Sequence, residues 1–482
     1  MTIRNPILYP DASPDLQESP RKRNPILNTD GYKHSHYLQY PPGSKMIKSY
    51  VEARVDASQE IVHMGSAIIR DKFLNTLVTR ENVNEAERII KNYGLPFNRE
   101  GWDYIVETHK GRLPVYIQAL PDGTVIPGGN LQVHVNNTDV KLPWLTSFLE
   151  TEILRSIWYP STTATRSRDC KKNIKKWMEE NCDNLDKLPF MLHDFGARGV
   201  ETEDAAGVGG MGHLVNFLGT DTLSAIEQIN RLYEVDSSPG FSIPASEHST
   251  ITSWGRENEI DAFDNMIEQF GGEGKIYACV SDSYNIYEAI EKLWASLDGK
   301  IKEKGGTLVI RPDSGEPTKM VMDCLELCGS TFGFTTNTKG FKVLPDHIRL
   351  IQGDGVSPEM INKILRIMSF NGWSADNIAF GMGAELLQKV NRDTYKYAMK
   401  ACSMMDRDGN LHDVFKNPIT ASGKSSKRGD LEIYKDESGK ISTEPFIPGR
   451  ETMTENIYSS YKGDVDISQK DSWSSVVERA KL

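Results

Sequence analysis

The chain has 482 residues, which is long enough for two or three domains, one of them a barrel. With 56 Lys and Arg against 67 Asp and Glu, the formal net charge is −11, which excludes a general electrostatic attraction to nucleic acid or to an anionic membrane surface. The six cysteines show no CxxC pair and no Cys/His ligand spacing, and the chain has neither a membrane-length apolar run nor a signal peptide, so we expect reduced thiols in a soluble cytoplasmic protein.

The first part of the chain predicts α+β structure. Residues 1–23 are rich in proline and charge and are expected to form a flexible N-terminal extension. The pentapeptide Arg-Asn-Pro-Ile-Leu occurs at 4–8 and again at 23–27, which is too short for a structural repeat. Over 24–187 the pattern predicts strands at 48–54, 114–119 and 131–135, and helices at 67–77, 84–93, 143–159 and 162–180.

After residue 188, short apolar runs alternate with helical periodicity. A polar or glycine-rich loop follows each of five runs, at 190–192, 276–281, 307–310, 348–352 and 377–380. This alternation predicts a parallel sheet with helical crossovers, and five such loops favour a ring over a doubly wound sheet. The predicted fold class is therefore α/β, with an irregular (β/α) barrel at 188–400. An additional α+β domain is expected from the N-terminal part and from residues 401–482, a basic loop and a C-terminal segment that packs back on it.

Two glycine motifs are considered and set aside. The segment 207–212 matches GxGxxG, but acidic residues rather than a strand precede it, so we interpret it as a loop or a close-packing segment. Gly423, Lys424 and Ser425 resemble the end of a Walker A loop. The upstream glycine of that motif is replaced by Pro418, which excludes it.

His248 is the most reactive side chain in a hydroxyl-rich stretch, residues 241–252, and Glu247 precedes it. A histidine there transfers a proton, accepts a phosphoryl group or binds an anion, or else simply belongs to a surface loop with a cap. The residues alone leave these alternatives open.

Charged and glycine-rich loops follow the later strands. Arg311 and Asp313 combine a cation for phosphate oxygens with a carboxylate for a diol or Mg²⁺. Glycines at 353 and 383 let backbone N–H groups approach a phosphate, and Asp354 adds an acceptor for ribose hydroxyls. Three further cations are candidates to close the anion site: Arg392, Lys400 and Lys424. Together these loops indicate a phosphorylated ribose ligand.

Seven ordered motifs carry a resemblance to a known family. They begin at His193 (HDFGARG), Leu218 (LGTDT), Ile243 (IPASEHST), Val280 (VSDSY), Ile310 (IRPDSG), Ile351 (IQGDG) and Leu386 (LLQK). The chain is similar to the nicotinamide phosphoribosyltransferases, of the type II phosphoribosyltransferase family, from about residue 29 to about residue 429. It departs from the family pattern at Ala197, where vertebrate members carry an aromatic residue, and at Met382, Ala384 and Glu385 in a loop that is otherwise richer in glycine.

The resemblance implies a reaction. Such enzymes transfer 5-phosphoribose from phosphoribosyl pyrophosphate to the pyridine nitrogen of nicotinamide, giving nicotinamide mononucleotide and pyrophosphate in NAD salvage. It further implies Mg²⁺ and ATP hydrolysis coupled through a phosphohistidine at His248, with Asp313 and Glu247 also catalytic. His248→Ala is then expected to keep the fold and to lose ATPase activity.

The resemblance also assigns binding roles. Phe195 stacks on the pyridine, Arg198 lies near its carboxamide, and Tyr32 stacks from the opposite face as a contribution of the second subunit of a homodimer. Asp221 accepts a hydrogen bond from the amide of nicotinamide and repels nicotinate. The remaining roles are ribose binding by Asp313 and Asp354, phosphate binding by Arg311, Gly353, Gly383 and Arg392, Mg²⁺ binding by Asp282 and Asp313, and weaker pyrophosphate or ATP contacts by Arg54, Lys400, Lys424 and Lys427.

Three alternatives are kept. The nearest is nicotinate phosphoribosyltransferase, which differs in the base. A Schiff-base aldolase would need a desolvated lysine at a strand end, and none of the five strand ends offers one. A non-catalytic nucleotide-binding protein would not need the full set of Asp221, His248, Arg311, Asp313 and Asp354.

Overall fold

The structure is a computed structural model and describes residues 23–419 and 425–482. The first copy of the repeated pentapeptide and Lys424 lie outside the described residues. Within them, no helix is both long and apolar enough to cross a bilayer. All six cysteines are buried and free, as predicted.

Helices and strands are numbered separately along the chain. The helices are α1 (Ser66–Asn75), α2 (Arg80–Asn92), α3 (Arg99–Thr108), α4 (Trp144–Phe148), α5 (Glu150–Asn181), α6 (Glu203–Leu214), α7 (Leu223–Leu232), α8 (His248–Thr252), α9 (Glu259–Phe270), α10 (Ile286–Glu288), α11 (Ala295–Lys304), α12 (Pro317–Phe332), α13 (Pro358–Phe370), α14 (Ala384–Leu387) and α15 (Trp473–Arg479). A π-helical turn, Ala289–Trp294, joins α10 to α11, and short 3-10 helices include Pro25–Leu27, Gly31–Leu38 and Leu188–Phe190.

The strands are β1 (Met46–Ala53), β2 (Glu60–Val62), β3 (Val115–Ala119), β4 (Val125–Pro127), β5 (Leu131–Asn137), β6 (Leu192–Asp194), β7 (Gly219–Thr220), β8 (Ile276–Val280), β9 (Thr307–Arg311), β10 (Thr335–Thr336), β11 (Lys342–Val343), β12 (Ile348–Gln352), β13 (Ile378–Met382), β14 (Tyr397–Met405), β15 (Leu411–Asp413), β16 (Leu431–Lys435), β17 (Ile441–Pro445), β18 (Glu455–Tyr461) and β19 (Asp464–Asp466).

A curled parallel sheet forms the second part of the chain, in the order β7-β6-β13-β12-β9-β8. Isolated parallel bridges join its two edges through one segment: Phe241 pairs with Gly219 of β7, and Ala245 pairs with Ala278 of β8. The Ala278 amide donates to the Pro244 carbonyl at 2.9 Å, and the Ser246 amide donates to the Ala278 carbonyl at 3.0 Å. The predicted α/β fold with a barrel-like parallel sheet is therefore confirmed, and residues 241–246 complete the ring.

An antiparallel sheet forms the other layer, in the order β15-β14-β1-β5-β3-β18-β19. It combines strands from both ends of the chain, because β14 pairs with β1 and β18 pairs with β3. Strand β14 begins at Tyr397 and crosses the predicted domain boundary at residue 400. The division of the chain into domains remains a prediction.

Helix α5 differs from the sequence prediction, which broke the segment at Pro160. The helix runs without interruption from Glu150 to Asn181 with Pro160 inside it. Proline removes the amide that would bond the carbonyl of Ser156. Gly65 packs directly against that carbonyl, since a Cβ at Gly65 would lie 2.0 Å from its oxygen. Tertiary contact therefore covers the exposed backbone group that normally ends a helix at proline.

The glycines of the GxGxxG segment lie on α6, so the prediction of a loop is wrong and the prediction of close packing is right. A Cβ at Gly212 would lie 2.1 Å from Thr163 Oγ1, and one at Gly210 would lie 2.7 Å from Ala225 Cβ. These contacts place α6 tightly between α5 and α7. A second small difference is at β6, where residues 188–190 form a 3-10 turn and the strand begins at Leu192 rather than at Phe190.

Candidate active site

Five predicted loops meet at the carboxyl end of the parallel sheet, because β6, β13, β12, β9 and β8 are adjacent in it. A cavity of about 350 Å³ opens there. It is lined by four predicted site residues, Phe195, Arg198, Asp221 and Arg311, together with His193, Ala197, Ser242, Ile243, Ala245, Ala278 and Ile351. The sequence prediction that these loops converge is confirmed.

Phe195 forms one wall of the cavity. Its amide donates to the Met382 carbonyl at 3.0 Å, which fixes the backbone just beyond β6. The ring lies across the glycine at 381: a Cβ there would be 1.9 Å from Phe195 Cε2, whereas a Cβ at Gly353 would be 3.4 Å from the same atom. The Arg311 guanidinium carbon is 6.0 Å from the ring centroid. The result is a flat aromatic surface with a cation beside it, which suits a planar base next to a phosphate.

Asp221 also lines the cavity. Its amide donates to the Asp194 carbonyl at 3.0 Å, and its carboxylate accepts a hydrogen bond from the Ser242 hydroxyl. Asp194 itself is fully buried, and burial raises the pKa of its carboxyl to about 6. One Asp194 carboxylate oxygen accepts the Gly196 amide at 2.7 Å, which shapes the turn between Phe195 and Arg198.

His248 stands beside two carboxylates from neighbouring strands. Because Ser246 is bonded to β8, the first turn of α8 is held next to the loop that follows β8. His248 Nε2 lies 3.0 Å from Asp282 Oδ1, and Nδ1 lies 3.8 Å from Asp313 Oδ2. Burial favours a raised pKa for Asp282, but hydrogen bonds from the Ser314 hydroxyl, His248 and the Asp313 amide together lower it. An ionised Asp282 thus accepts a hydrogen bond from the imidazole Nε2.

Arg311 and Asp313 extend this group toward the cavity. Arg311 donates to Asp313 Oδ1 through both Nε, at 3.2 Å, and a terminal nitrogen, at 2.7 Å. The side chains of His248, Asp282, Asp313 and Arg311 therefore form one connected network at the ends of β8 and β9.

Glu247 does not belong to this network. Its carboxylate accepts the Ser249 hydroxyl, and its backbone amide donates to the Thr250 hydroxyl at 3.2 Å. Glu247 caps α8. The observed partners of His248 are Asp282 and Asp313 rather than the adjacent Glu247.

The predicted Mg²⁺ ligands can be tested against their hydrogen bonds. Asp282 already accepts from His248, from the Asp313 amide at 3.0 Å and from the Ser314 hydroxyl at 2.5 Å. Asp313 Oδ2 is freer, with only His248 at 3.8 Å. Among the described residues, no group of three or more His, Cys, Asp or Glu side chains is arranged to hold a metal. The donors therefore fit Mg²⁺ held by one carboxylate and by substrate phosphates, which is the usual manner for this ion.

The glycine loops lie around the same opening. Gly353 and Gly383 are half-buried, Asp354 is exposed, and the Asp354 carbonyl accepts the Gln352 amide at 2.8 Å. Gly383 directly precedes α14, which begins at Ala384. Glu385, one of the departures from the family pattern, turns away from the loop: its carboxylate contacts Arg166 at 3.0 Å and Lys389. The added acid is thereby neutralised beside a loop predicted to bind phosphate.

The other predicted residues that the structure describes do not line the cavity. Tyr32 is 60% exposed on the 3-10 helix Gly31–Leu38. Arg54 and Lys427 contact Glu52, and the Lys400 ammonium donates to the Met399 carbonyl at 2.7 Å. Arg392 is exposed and pairs with Asp393 at 3.0 Å. The structure thus divides the predicted site into a barrel group and a surface group.

Sequence reasoning missed several residues of the lining. His193 faces the cavity because it alternates with the buried Asp194 and lies on the same side as Phe195, a period-two signal that was available in the sequence. Ser242 belongs to the hydroxyl-rich stretch, but its bond to Asp221 depends on the closure of the ring. Ala245, Ala278 and Ile351 carry no chemical signal of their own.

Two family models match this chain. The nicotinate phosphoribosyltransferase (NAPRTase) family matches residues 190–447, and the nicotinamide phosphoribosyltransferase N-terminal domain matches residues 24–117. The chain belongs to the NAPRTase family. It is accordingly an enzyme, a pentosyltransferase of the phosphoribosyltransferase type.

Curated relatives agree with this membership of the NAPRTase family. A protein of Xanthomonas campestris named nicotinamide phosphoribosyltransferase is 48% identical over 415 residues, which cover 86% of this chain and 88% of the relative. A protein of Acinetobacter baylyi with the same name is 28% identical over 452 residues, 86% of this chain and 89% of the relative.

Solved structures of low sequence identity share the fold. Nicotinate-nucleotide pyrophosphorylase from Pyrococcus furiosus aligns with a TM-score of 0.58 at 13% identity, covering 95% of this chain and 94% of that one. Human nicotinic acid phosphoribosyltransferase aligns with a TM-score of 0.53 at 12% identity, covering 94% and 92%. These likenesses concern the architecture alone.

Proposed function

We propose that this protein is a nicotinamide phosphoribosyltransferase, which makes nicotinamide mononucleotide and pyrophosphate from nicotinamide and phosphoribosyl pyrophosphate in NAD biosynthesis. The observation that carries the proposal is the cavity, which combines an aromatic wall from Phe195, a carboxylate from Asp221 and a cation from Arg311. The 48% identical relative of that name supports the same base.

The reaction is a displacement at the anomeric carbon of the ribose. The pyridine nitrogen forms the new C–N bond while the C–O bond to pyrophosphate breaks, and positive charge develops on the sugar. Phe195 holds the base flat, Arg311 offsets the negative charge of the phosphates, and Asp313 and Asp354 accept hydrogen bonds from the ribose hydroxyls. Charge stabilisation of this kind is effective because the groups are held in place before the reaction begins.

Asp221 supports nicotinamide over nicotinate. Its carboxylate accepts a hydrogen bond from the amide NH₂ of nicotinamide, whereas the carboxylate of nicotinate would meet a like charge. The Ser242 hydroxyl occupies one of its oxygens and so fixes the direction of the other. A buried charge that is repelled and left unpaired costs about 3 kcal/mol. This cost corresponds to a selectivity on the order of a hundredfold.

ATP hydrolysis coupled through His248 is the second part of the proposal. Asp282 accepts from Nε2, so Nδ1 is the nucleophile: it forms a bond to the γ-phosphorus of ATP, and the bond to the bridging oxygen of ADP breaks. Water then hydrolyses the phosphohistidine, which regenerates the imidazole and releases phosphate. The side chain of His248 is 46% exposed, which leaves room for this transfer.

Mg²⁺ fits this chemistry as a partner of the phosphates. It would be held by Asp313, with Asp282 nearby, and would neutralise charge on the leaving pyrophosphate. Within the protein itself, Asp313 orients Arg311 and Asp282 orients His248.

A homodimer with shared active sites accounts for the surface group. The cavity has Phe195 on one side, and Tyr32 is exposed on the antiparallel layer of the same chain. Tyr32 of a second copy would cover the open face of the base, and Arg54, Arg392, Lys400 and Lys427 would lie near the phosphates. A cytoplasmic location agrees with six free thiols.

One assay tests the proposal. The purified protein is given phosphoribosyl pyrophosphate with nicotinamide or with nicotinate, each with and without ATP, and the mononucleotides and ADP are measured. We expect nicotinamide mononucleotide as the main product and faster turnover with ATP. A preference for nicotinate would instead assign the alternative, nicotinate phosphoribosyltransferase, and would overturn the role of Asp221.

A further inference from the structure

A buried carboxylate, Glu52, contacts two of the surface cations. It is 3% exposed on β1 and contacts Arg54 Nε at 3.5 Å and the Lys427 ammonium. The Tyr50 hydroxyl lies 3.4 Å from it. Glu52 takes no part in the steps proposed above.

The cations around Glu52 share one face of the antiparallel sheet. Every second residue of a strand faces the same side, so the side chains of residues 50, 52 and 54 share one side of the chain. Tyr50 is directly opposite Lys400 of β14, and side chains of directly opposed residues lie on one face. Glu52 therefore lies between Arg54 and the Tyr50–Lys400 pair.

The basic segment 425–427 is attached to β1 through side chains. Arg54 donates to the Ser425 carbonyl at 3.2 Å, the Lys427 amide donates to the Tyr50 hydroxyl at 2.9 Å, and the Lys427 ammonium pairs with Glu52. Arg54 and Lys427 thus both contact Glu52. Each residue also has a second contact, Arg54 with the Ser425 carbonyl and Lys427 with the Tyr50 hydroxyl. A change at Glu52 would release both cations together.

We propose that Glu52 is a positioning residue for the pyrophosphate end of the substrate: it holds Arg54 and Lys427 in the orientation in which they receive the phosphates. This inference rests on the proposed function, which places the two cations at that end. Without the carboxylate, two long cationic side chains repel each other and lose their common orientation.

The substitution Glu52→Gln has two opposite effects on phosphate binding, and their balance decides the test. It removes a negative charge, which by itself strengthens attraction of an anion, and it frees the cations, which weakens binding. Because Glu52 is nearly fully buried and the cations are not, we expect the loss of orientation to dominate.

The experiment measures KM for phosphoribosyl pyrophosphate and for the base, together with the dissociation constant of pyrophosphate by calorimetry. For Glu52→Gln we expect KM for phosphoribosyl pyrophosphate and the pyrophosphate constant to rise about tenfold, with the KM of the base within about twofold of wild type. Glu52→Asp, which keeps the charge, should recover most of the loss. Unchanged or tighter pyrophosphate binding in Glu52→Gln overturns the inference.

Glu432→Gln is the matched control. Glu432 is 4% exposed and contacts His134 Nε2 at 2.9 Å and Lys48 at 3.7 Å, so its loss costs comparable stability without touching Arg54 or Lys427. An equal rise in the pyrophosphate constant of this variant would show a merely structural effect and would count against Glu52.

If Glu52→Gln fails to fold, a second variant tests the same inference. Tyr50→Phe removes only the hydroxyl that holds the Lys427 amide, and it should weaken pyrophosphate binding in the same direction, by about threefold. The calorimetric measurement needs no base, so a preference for nicotinate would correct the proposed function and leave this test intact. Wild-type protein that binds no pyrophosphate would overturn the inference as well.

Discussion

The contact between Phe195 and the glycine at 381 gives the sharpest test of the base site. In Gly381→Ala the new Cβ would lie 1.9 Å from Phe195 Cε2 and 2.2 Å from Cδ2. Carbon atoms in contact stay about 3.5 Å apart, so the ring must retreat by roughly 1.5 Å into the space for the base. Overpacking of this kind costs about 1–3 kcal/mol of stability, and a lost aromatic stack costs about 1 kcal/mol of binding.

Steady-state kinetics with nicotinamide measure this effect. We expect KM for nicotinamide in Gly381→Ala to rise about fivefold, since about 1 kcal/mol corresponds to that factor. Gly353→Ala is the matched control, because its Cβ would meet the same ring atom, Phe195 Cε2, at an ordinary 3.4 Å. It should leave nicotinamide KM nearly unchanged. An unaltered nicotinamide KM in a folded Gly381→Ala protein would refute the assignment of Phe195 as the wall of the base site.

Four further outcomes are expected. Asp221→Asn should raise the ratio of nicotinate to nicotinamide kcat/KM at least about tenfold, because the like charge is gone; an unchanged ratio removes Asp221 from base selection. His248→Ala should retain the circular dichroism spectrum of wild type and lose ATPase activity. Wild-type ATPase activity in this variant would refute the phosphohistidine at His248. Arg166→Met should raise KM for phosphoribosyl pyrophosphate about threefold at constant nicotinamide KM, since Glu385 then keeps only Lys389 beside the phosphate loop; equal changes in both constants would indicate a general disturbance. The pKa of Asp194 is raised from 3.8 to about 6, so the stability linked to its protonated form is present below pH 4 and is lost as pH rises through 6. Asp194→Asn lacks this loss. Between pH 4 and 7, denaturation curves should therefore show the free energy of unfolding of the variant rising by about 2–3 kcal/mol relative to that of wild type; parallel pH profiles of the two proteins would contradict this expectation.

The local pattern of the sequence determined which loops carry chemistry. Apolar runs followed by Arg311, Asp313 or Gly353 indicate parallel strands, and parallel strands bring their carboxyl ends to one edge. The chemical types at those ends, cations and glycines for phosphate and carboxylates for hydroxyls, indicate the ligand class before any distance is known. These inferences depend only on neighbours along the chain.

Contacts between distant segments were decided by the tertiary structure. His248 finds Asp282, 34 residues away, rather than the adjacent Glu247, because residues 241–246 complete the ring beside β8. Pro160 remains inside α5 because Gly65 packs against the carbonyl that proline leaves unbonded. The sequence specifies the donors and acceptors available, but only the packing of segments far apart in the chain selects which of them meet.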